Sequence, residues 1–272
     1  MVLSINTNIG AMIALQNLNI TNKALEKTQL NITTGLKING PKDDASTYAI
    51  AQNMRGDLSG YAAVKTALAA GESTVNTAIE AGKAISDLLI EMKAKVVQSN
   101  QAGLDSNSRS ALNNDFDALR SQIATIVVTA EFNGVSLLNA TAGSYSVLST
   151  VDGSSIAVSA QRMDTTTLAI NTVSLTTSSG AASALTVIDS ALSSVTQKLA
   201  NLGSSAKRLE VQADFTVKLM DILKAGVGNL VDADMAEESA TLQALQIKQQ
   251  LGVQSLSIAN QSPQNILSLF RN

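Results

Sequence analysis

Four carboxylates, Asp232, Asp234, Glu237 and Glu238, form the densest cluster of chemistry-bearing side chains in the sequence. Paired carboxylates shuttle protons or bind a hard cation. No glycine among them supplies the sharp turn of a calcium loop, and an apolar-periodic run follows. They therefore read as helix-start chemistry, with Asp232 or Asp234 as N-cap and Glu237 and Glu238 in the positive first turn. Asp43 and Asp44 read the same way for a helix starting near Ala45, with Lys42 and Arg55 as ion-pair partners. Gly56 and Gly60, four residues apart, signal close helix approach.

The wider inventory removes most catalysis. The chain has no histidine, so Ser-His-Asp triads, histidine zinc sites and imidazole acid-base chemistry are excluded. It has no cysteine, so disulfides, thiolate metal sites and thiol nucleophiles are excluded too. No catalytic, cofactor or metal site is expected, and the chain does not read as an enzyme. Net charge is −3 without a Lys/Arg cluster, which gives no footprint for nucleic acid or an anionic membrane. No stretch of 18 apolar residues is present and the first basic residue is Lys23, so membrane insertion is not expected. A secreted fate would use a route without a cleaved signal peptide.

The elements that position these residues follow from periodicity. Leu185, Ile188, Leu192, Val195, Leu199, Leu202, Ala206, Leu209, Ala213, Thr216, Met220, Leu223, Val227 and Leu230 alternate steps of three and four, and only Thr216 is polar. That spacing puts one apolar seam on a helix about 70 Å long. A second long helix carries Met54, Tyr61, Leu68, Val75, Gly82, Leu89 and Val96 in one heptad row and Val64, Gly71, Ala78, Ile85 and Met92 in another. A shorter seam, Leu112, Phe116, Leu119, Ile123, Ile126 and Ala130, is opened by Asp105-Ser106-Asn107-Ser108 and closed by Asn133-Gly134. Three seams predict three mutually packed helices. With 3% aromatic residues and no tryptophan, the bundle is thin and elongated.

Residues 141 to 184 break the pattern: 18 of 44 are Ser or Thr, and the only charges are Asp152, Arg162 and Asp164. Short alternating pieces, Ser144 to Val151, Ser154 to Ala160 and Leu168 to Leu175, predict β-hairpins, with Asp152-Gly153 as a turn. The alternative is a flexible Ser/Thr linker. In either reading this is a solvent-facing tip where the chain doubles back, with no seam to match the helices. The helices of residues 45 to 98 and 182 to 230 then run antiparallel and bring both chain ends together.

The ends form a second element. Ala11, Leu18, Leu25 and Ile32 recur every seventh residue, while residues 235 to 262 carry two stripes: Met235, Leu242, Leu245, Leu256 and Ala259, and separately Ala240, Ala244, Ile247, Leu251 and Ile258. A pair within one chain uses one stripe, so the other calls for a partner outside it. Between Met1 and Asn22 there is no ionic side chain, and between Ser239 and Phe270 only Lys248. Amides such as Asn6, Asn8, Gln16, Asn17, Gln243, Gln249 and Gln254 take their place. Uncharged polar faces tolerate burial that charged ones would resist.

Ser4-Ile5-Asn6-Thr7-Asn8, Asn17-Leu18 and the run from Ile32-Thr33-Thr34-Gly35-Leu36 through Lys42-Asp43-Asp44-Ala45 resemble the N-terminal signature of bacterial flagellin. Ala259-Asn260-Gln261-Ser262-Pro263 and the following Gln264 to Arg271 resemble the flagellin C-terminus, and Phe132-Asn133-Gly134-Val135 resembles the turn after its second rod helix. The resemblance covers residues 1 to 138 and 182 to 272, and implies a short form lacking large outer domains.

The expected fold is mainly α, an elongated antiparallel flagellin-like rod with a small hairpin-rich tip and paired terminal coiled-coil helices. Residues 1–40 with 232–272 would form the inner tube, 41–140 with 182–231 the outer wall, and 141–181 the exposed tip. The resemblance implies a filament subunit for swimming motility, located in the extracellular flagellar filament. Its partners would be further copies of itself, the flagellar type III export apparatus with an export chaperone, and hook-associated and cap proteins. A hook-filament junction protein of the same architecture is the alternative reading. Counting back from Phe132, two positions of the family's innate-receptor contact correspond to Leu119 and Gln122, which implies weak receptor recognition.

The residues expected to make assembly contacts are Ile5, Ala11, Leu18, Leu25, Ile32, Leu242, Leu245, Ile247, Leu251, Leu256, Ile258, Leu267, Leu269 and Phe270. Candidate O-glycosylation positions are Ser144, Ser146, Ser149, Thr150, Ser154, Ser155, Thr165, Thr166, Thr167, Thr176 and Thr177. The Asn-x-Ser/Thr matches at Asn19, Asn31, Asn139 and Asn260 read as chance.

Overall fold

The five helices are α1 (Ile9–Thr34), α2 (Ala45–Ser99), α3 (Ser106–Thr129), α4 (Ser178–Val231) and α5 (Met235–Leu269), with one hairpin of β1 (Tyr145–Leu148) and β2 (Ser155–Val158). The computed structural model describes residues 7–269, with side chains described as far as residue 261. Two compact units divide the chain: residues Asp57–Asp221 form one, and the described residues before and after them form the other.

The middle unit is built on the predicted seams. Leu68, Val75, Leu89 and Val96 of one α2 row and Val64, Ala78, Ile85 and Met92 of the other are buried. They meet Phe116, Ile123 and Val127 of α3 and Ile188, Val195, Leu202 and Leu209 of α4 in one core. Thr216, the polar member of the α4 seam, is also buried, and its hydroxyl donates to the Gln212 carbonyl at 2.8 Å, so no polar atom is stranded. Between α2 and α3 the chain turns at Gly103, and Arg109 folds back. Its guanidinium donates to the Ser99 carbonyl, and through Nη2 to the Gln101 carbonyl at 3.2 Å. A cation there answers both the orphan carbonyls and the negative end of α2. Asn133 and Gly134, with φ of 52° and 76°, make the two-residue turn that Phe132 and Val135 close with a pair of backbone hydrogen bonds.

The segment from 141 to 177 corrects the sequence reading in two respects. The first concerns burial. Val147, Val158, Met163, Leu168, Ile170 and Leu175 are all core residues, so the segment is a third layer of the bundle, not a tip without a seam. It lies along α2 because α2 makes room: a Cβ on Gly60 would sit 2.7 Å from Val151 Cγ1, and one on Gly71 2.6 Å from Val147 Cγ2. Each of these is closer than real side chains approach. The second respect concerns Leu168 to Leu175, which is not a strand. Asp164 accepts from the Thr167 N–H at 3.0 Å and its hydroxyl at 2.6 Å, and the Leu168 and Ile170 N–H groups bond to Asp164 and Thr165 carbonyls. Backbone donors consumed in local turns are not available to a ladder. The alternation arose because consecutive turns aim Leu168 and Ile170 at the same core. The other two pieces do pair, antiparallel, from Tyr145 opposite Val158 to Leu148 opposite Ser155, around the Asp152-Gly153 turn.

In the unit made by the two ends, α1 begins with Asn8, whose side chain accepts from the Ala11 N–H at 3.0 Å, and ends on Gly35 in the left-handed conformation. The loop that follows is sewn to the α4–α5 junction: Lys37 N–H donates to the Val231 carbonyl at 2.7 Å and Ala233 N–H to that of Gly35 at 2.9 Å. Ile38, Ala51 and Val231 form a small core beneath it. Asp44 caps α2 through the Ser46 and Thr47 N–H groups, as expected. The ion-pair expectation for Asp43 is corrected. Asn39 N–H holds one of its oxygens at 3.1 Å, and Lys27 of α1, in place of Lys42 or Arg55, pairs with the other at 3.0 Å.

Candidate assembly faces of the terminal helices

The helices α1 and α5 pack antiparallel along most of their length. Three polar contacts fix the register: Asn8 Nδ2 donates to the Ala259 carbonyl at 2.7 Å, Gln249 Nε2 to Asn22 Oδ1 at 2.8 Å, and Asn31 Nδ2 to Glu238 Oε1 at 2.9 Å. Between them, a Cβ on Gly252 would lie 3.2 Å from Leu18 Cδ1, so the small residue marks where the helices approach closely. Amides serve both helices as donors and acceptors without the desolvation penalty of an ion. Of the four carboxylates that opened the inventory, Asp234 caps α5 through the Ala236 N–H at 2.8 Å, Glu237 sits in its first turn, and Glu238 accepts from Asn31. That accounts for these three as helix chemistry.

The predicted contact residues sort into two sets. Leu25 is buried, and Ala11, Leu18, Ile32, Leu242, Leu245 and Leu256 are half-buried. Ile247, Leu251 and Ile258 are between 55% and 63% exposed, although all three are large and apolar. At 100° per residue they lie on the far side of α5 from the row facing α1. Ile5 and Phe270 lie outside the described residues, and Leu267 and Leu269 fall in α5 beyond the last described side chain.

A further set was missed in the sequence. Ile9, Met12, Ile13 and Ile20 of α1 are each more than half exposed, and with Gln16 they line a shallow groove on the side away from α5. The signal was present as apolar residues at 9, 13 and 20, off the heptad row through Ala11 and Leu18, in a stretch without charge. The terminal pair thus presents an apolar face outward from each helix.

Among the Ser/Thr candidates, Ser149 is buried and its hydroxyl donates to the Ser154 carbonyl at 3.0 Å, so it is withdrawn as an accessible acceptor. Thr150 and Thr165 are half-buried, and Ser144, Ser146, Ser154, Ser155, Thr166, Thr167, Thr176 and Thr177 are exposed. Thr177 has a structural duty as well, since its hydroxyl accepts from the Gly180 N–H at 3.1 Å at the start of α4. Among the described residues no helix is long and apolar enough to cross a membrane.

Buried seams, capped long helices and two outward apolar faces define a helical structural protein of the kind that builds polymers. Residues 5–143 match the family model described as the bacterial flagellin N-terminal helical region, and residues 185–270 match the bacterial flagellin C-terminal helical region. Flagellin FljM of Caulobacter vibrioides is 49% identical, covering 98% of both chains, and a flagellin of Brucella melitensis is 37% identical, covering 98% of this chain and 99% of that one. The fold is similar to Bacillus cereus flagellin (TM-score 0.50, 24% identity, 54% of this chain and 86% of that one). It is also similar to a flagellar hook-associated protein from Vibrio parahaemolyticus (TM-score 0.59, 15% identity, 70% and 100% covered). The chain belongs to the bacterial flagellin family. It is a structural, non-enzymatic subunit of the extracellular flagellar filament, and the junction-protein alternative is not favoured, since that likeness extends to the fold alone.

Proposed function

We propose that the chain polymerises through its terminal helices: residues 1–40 with 232–272 contribute the inner tube, 41–140 with 182–231 the outer wall, and the exposed hydroxyls of 141–181 the outer surface. The observation that supports the first part is the exposure of Ile247, Leu251 and Ile258 on the side of α5 opposite α1. Contacts of this kind repeat from copy to copy without closing, which generates an open helical polymer. By the family resemblance the subunit is delivered by the flagellar type III export apparatus with an export chaperone, and meets hook-associated and cap proteins at the filament ends. Sugars attached at Ser146, Ser155 or Thr166 would project from the outer surface.

The test is Leu251→Asp and Ile258→Asp. Each places a carboxylate on a face buried only in the polymer, where an unpaired charge costs several kcal/mol at every repeated contact. Filament growth on seeds stops while monomer helicity, read by circular dichroism, is unchanged. Normal filament yield from both variants would remove the terminal helices from the interface.

A further inference from the structure

The outward faces of α1 and α5 have the same length. Ile9, Ile13 and Ile20 stand at i, i+4 and i+11, and Ile247, Leu251 and Ile258 repeat that spacing. All six side chains are between 54% and 63% exposed. Eleven residues of helix span about 16 Å in each case. Because the chain forms a homopolymer, each face has a second copy available to cover it. Two arrangements compete: like faces meeting across a two-fold axis, or unlike faces meeting head to tail.

We propose that the α1 outer face of one copy docks on the α5 outer face of the next, antiparallel, with Ile9 against Ile258 and Ile20 against Ile247. This rests on the reading that the terminal helices make the filament contacts, and adds which face meets which. A two-fold pairing of like faces closes after two copies, whereas a polymer that grows from one end needs unlike faces. Rotation about the filament axis and a rise along it preserve the polarity of every subunit, so helices lying along that axis meet α1 to α5 in the antiparallel sense they already have within the chain. In that register the outer isoleucines pair at both ends of the 16 Å span, and Ile13 and Leu251 interleave between them. The cations of this region oppose no charge, since Lys23 falls opposite Ala244 and Lys248 opposite Asn19. The contact is also small. Stable pairs in solution bury about 20–30 residues a side, so this contact holds only when repeated along a filament, as a subunit exported before assembly requires.

The absence of native cysteine makes the pairing directly readable. Full-length Ile20→Cys and Ile247→Cys variants are polymerised on seeds, separately and mixed, and oxidised; a disulfide needs Cα atoms about 4.4–6.8 Å apart. Mixed filaments give a cross-linked dimer, the double variant gives a ladder of multimers, and neither single variant cross-links with itself. An Ile9→Cys and Ile247→Cys mixture gives none. Dimers from either single variant alone, or no cross-link from the Ile20 and Ile247 mixture in filaments that form normally, overturn the pairing. A charge exchange provides the second measurement. Ile20→Lys and Ile247→Glu each cut filament yield at least tenfold, and the double variant recovers at least half of it; a double variant as poor as the singles also overturns the pairing. If the pairing fails while Leu251→Asp still blocks growth, the terminal-helix reading stands; if Leu251→Asp filaments grow, that reading falls as well.

Discussion

Val151 rests directly on the backbone of α2 at Gly60, so closely that a Cβ there would lie 2.7 Å from its Cγ1. Val147 does the same at Gly71, one eleven-residue step along the same helix. Eleven residues are close to three full turns, so Gly60, Gly71 and Gly82 lie in line. They form a trough for the returning chain.

Replacing a helical glycine by alanine ordinarily gains up to about 1 kcal/mol. At Gly71 the new methyl meets both Val147 methyls, and valine on a strand has one stiff torsion with which to retreat, so overpacking of about 1–3 kcal/mol outweighs the gain. Gly71→Ala lowers the urea midpoint, and Val147→Ala in the same chain relieves the clash. Gly203→Ala, where nothing stands within 4 Å, raises it by the helix-propensity gain. A stabilising Gly71→Ala would mean that β1 does not seat on α2.

Arg109→Ala removes the cation that holds the Ser99 and Gln101 carbonyls at the end of α2. Arg109 is buried and its hydrogen bonds are charge-assisted, so the loss is about 1.5–3 kcal/mol by chemical denaturation. Arg109→Lys recovers part of it, since one ammonium cannot reproduce the planar two-nitrogen contact. An unchanged midpoint for the alanine variant would show that water serves those carbonyls equally well.

Acid weakens the junction between α1 and α2. Lys27 beside Asp43 and the Thr47 N–H at Asp44 hold both carboxyls below the ordinary value of 3.8. The unfolded chain therefore takes up protons first as pH falls. The contribution is complete above about pH 4 and disappears as pH drops through the lower folded values. Asp44→Ala flattens the dependence of unfolding midpoint on pH below about 4. A parallel curve for the variant would show that Asp44 carries none of it.

The long helices were legible because a seam repeated over many turns has one solution, and the caps at Asp44 and Asp234 were legible because capping is local. The core role of residues 147 to 175 was not. A layer one chain thick buries isolated side chains such as Met163 and Leu175 through turns, without a period to betray it. Lys27 as the partner of Asp43 was hidden for the reason that tertiary ion pairs usually are, since sixteen residues and a helix end separate them. On α1 the heptad row through Ala11 and Leu18 marks the inward face, and three residues, Ile9, Ile13 and Ile20, are too few to define a second seam by period alone.

The burial of the 141–177 layer decides what trimming it does. A loop without a seam could be replaced between residues 146 and 178 by a short turn with the long helices intact. Instead the replacement removes Val147, Val158, Met163, Leu168, Ile170 and Leu175 from the core. At about 1.5–3 kcal/mol for each large apolar side chain, the loss is on the order of 10 kcal/mol, comparable to the whole stability of a typical domain. The shortened protein loses its cooperative unfolding transition and forms no filaments. A milder probe separates folding from assembly: Ile170→Ala, a buried truncation, costs about 2–5 kcal/mol, while Ser155→Ala on the exposed edge of β2 leaves both midpoint and filament yield unchanged. If the shortened protein unfolds at the parent midpoint, the layer is a passenger on the helices and its buried side chains contribute nothing that α2, α3 and α4 cannot supply among themselves.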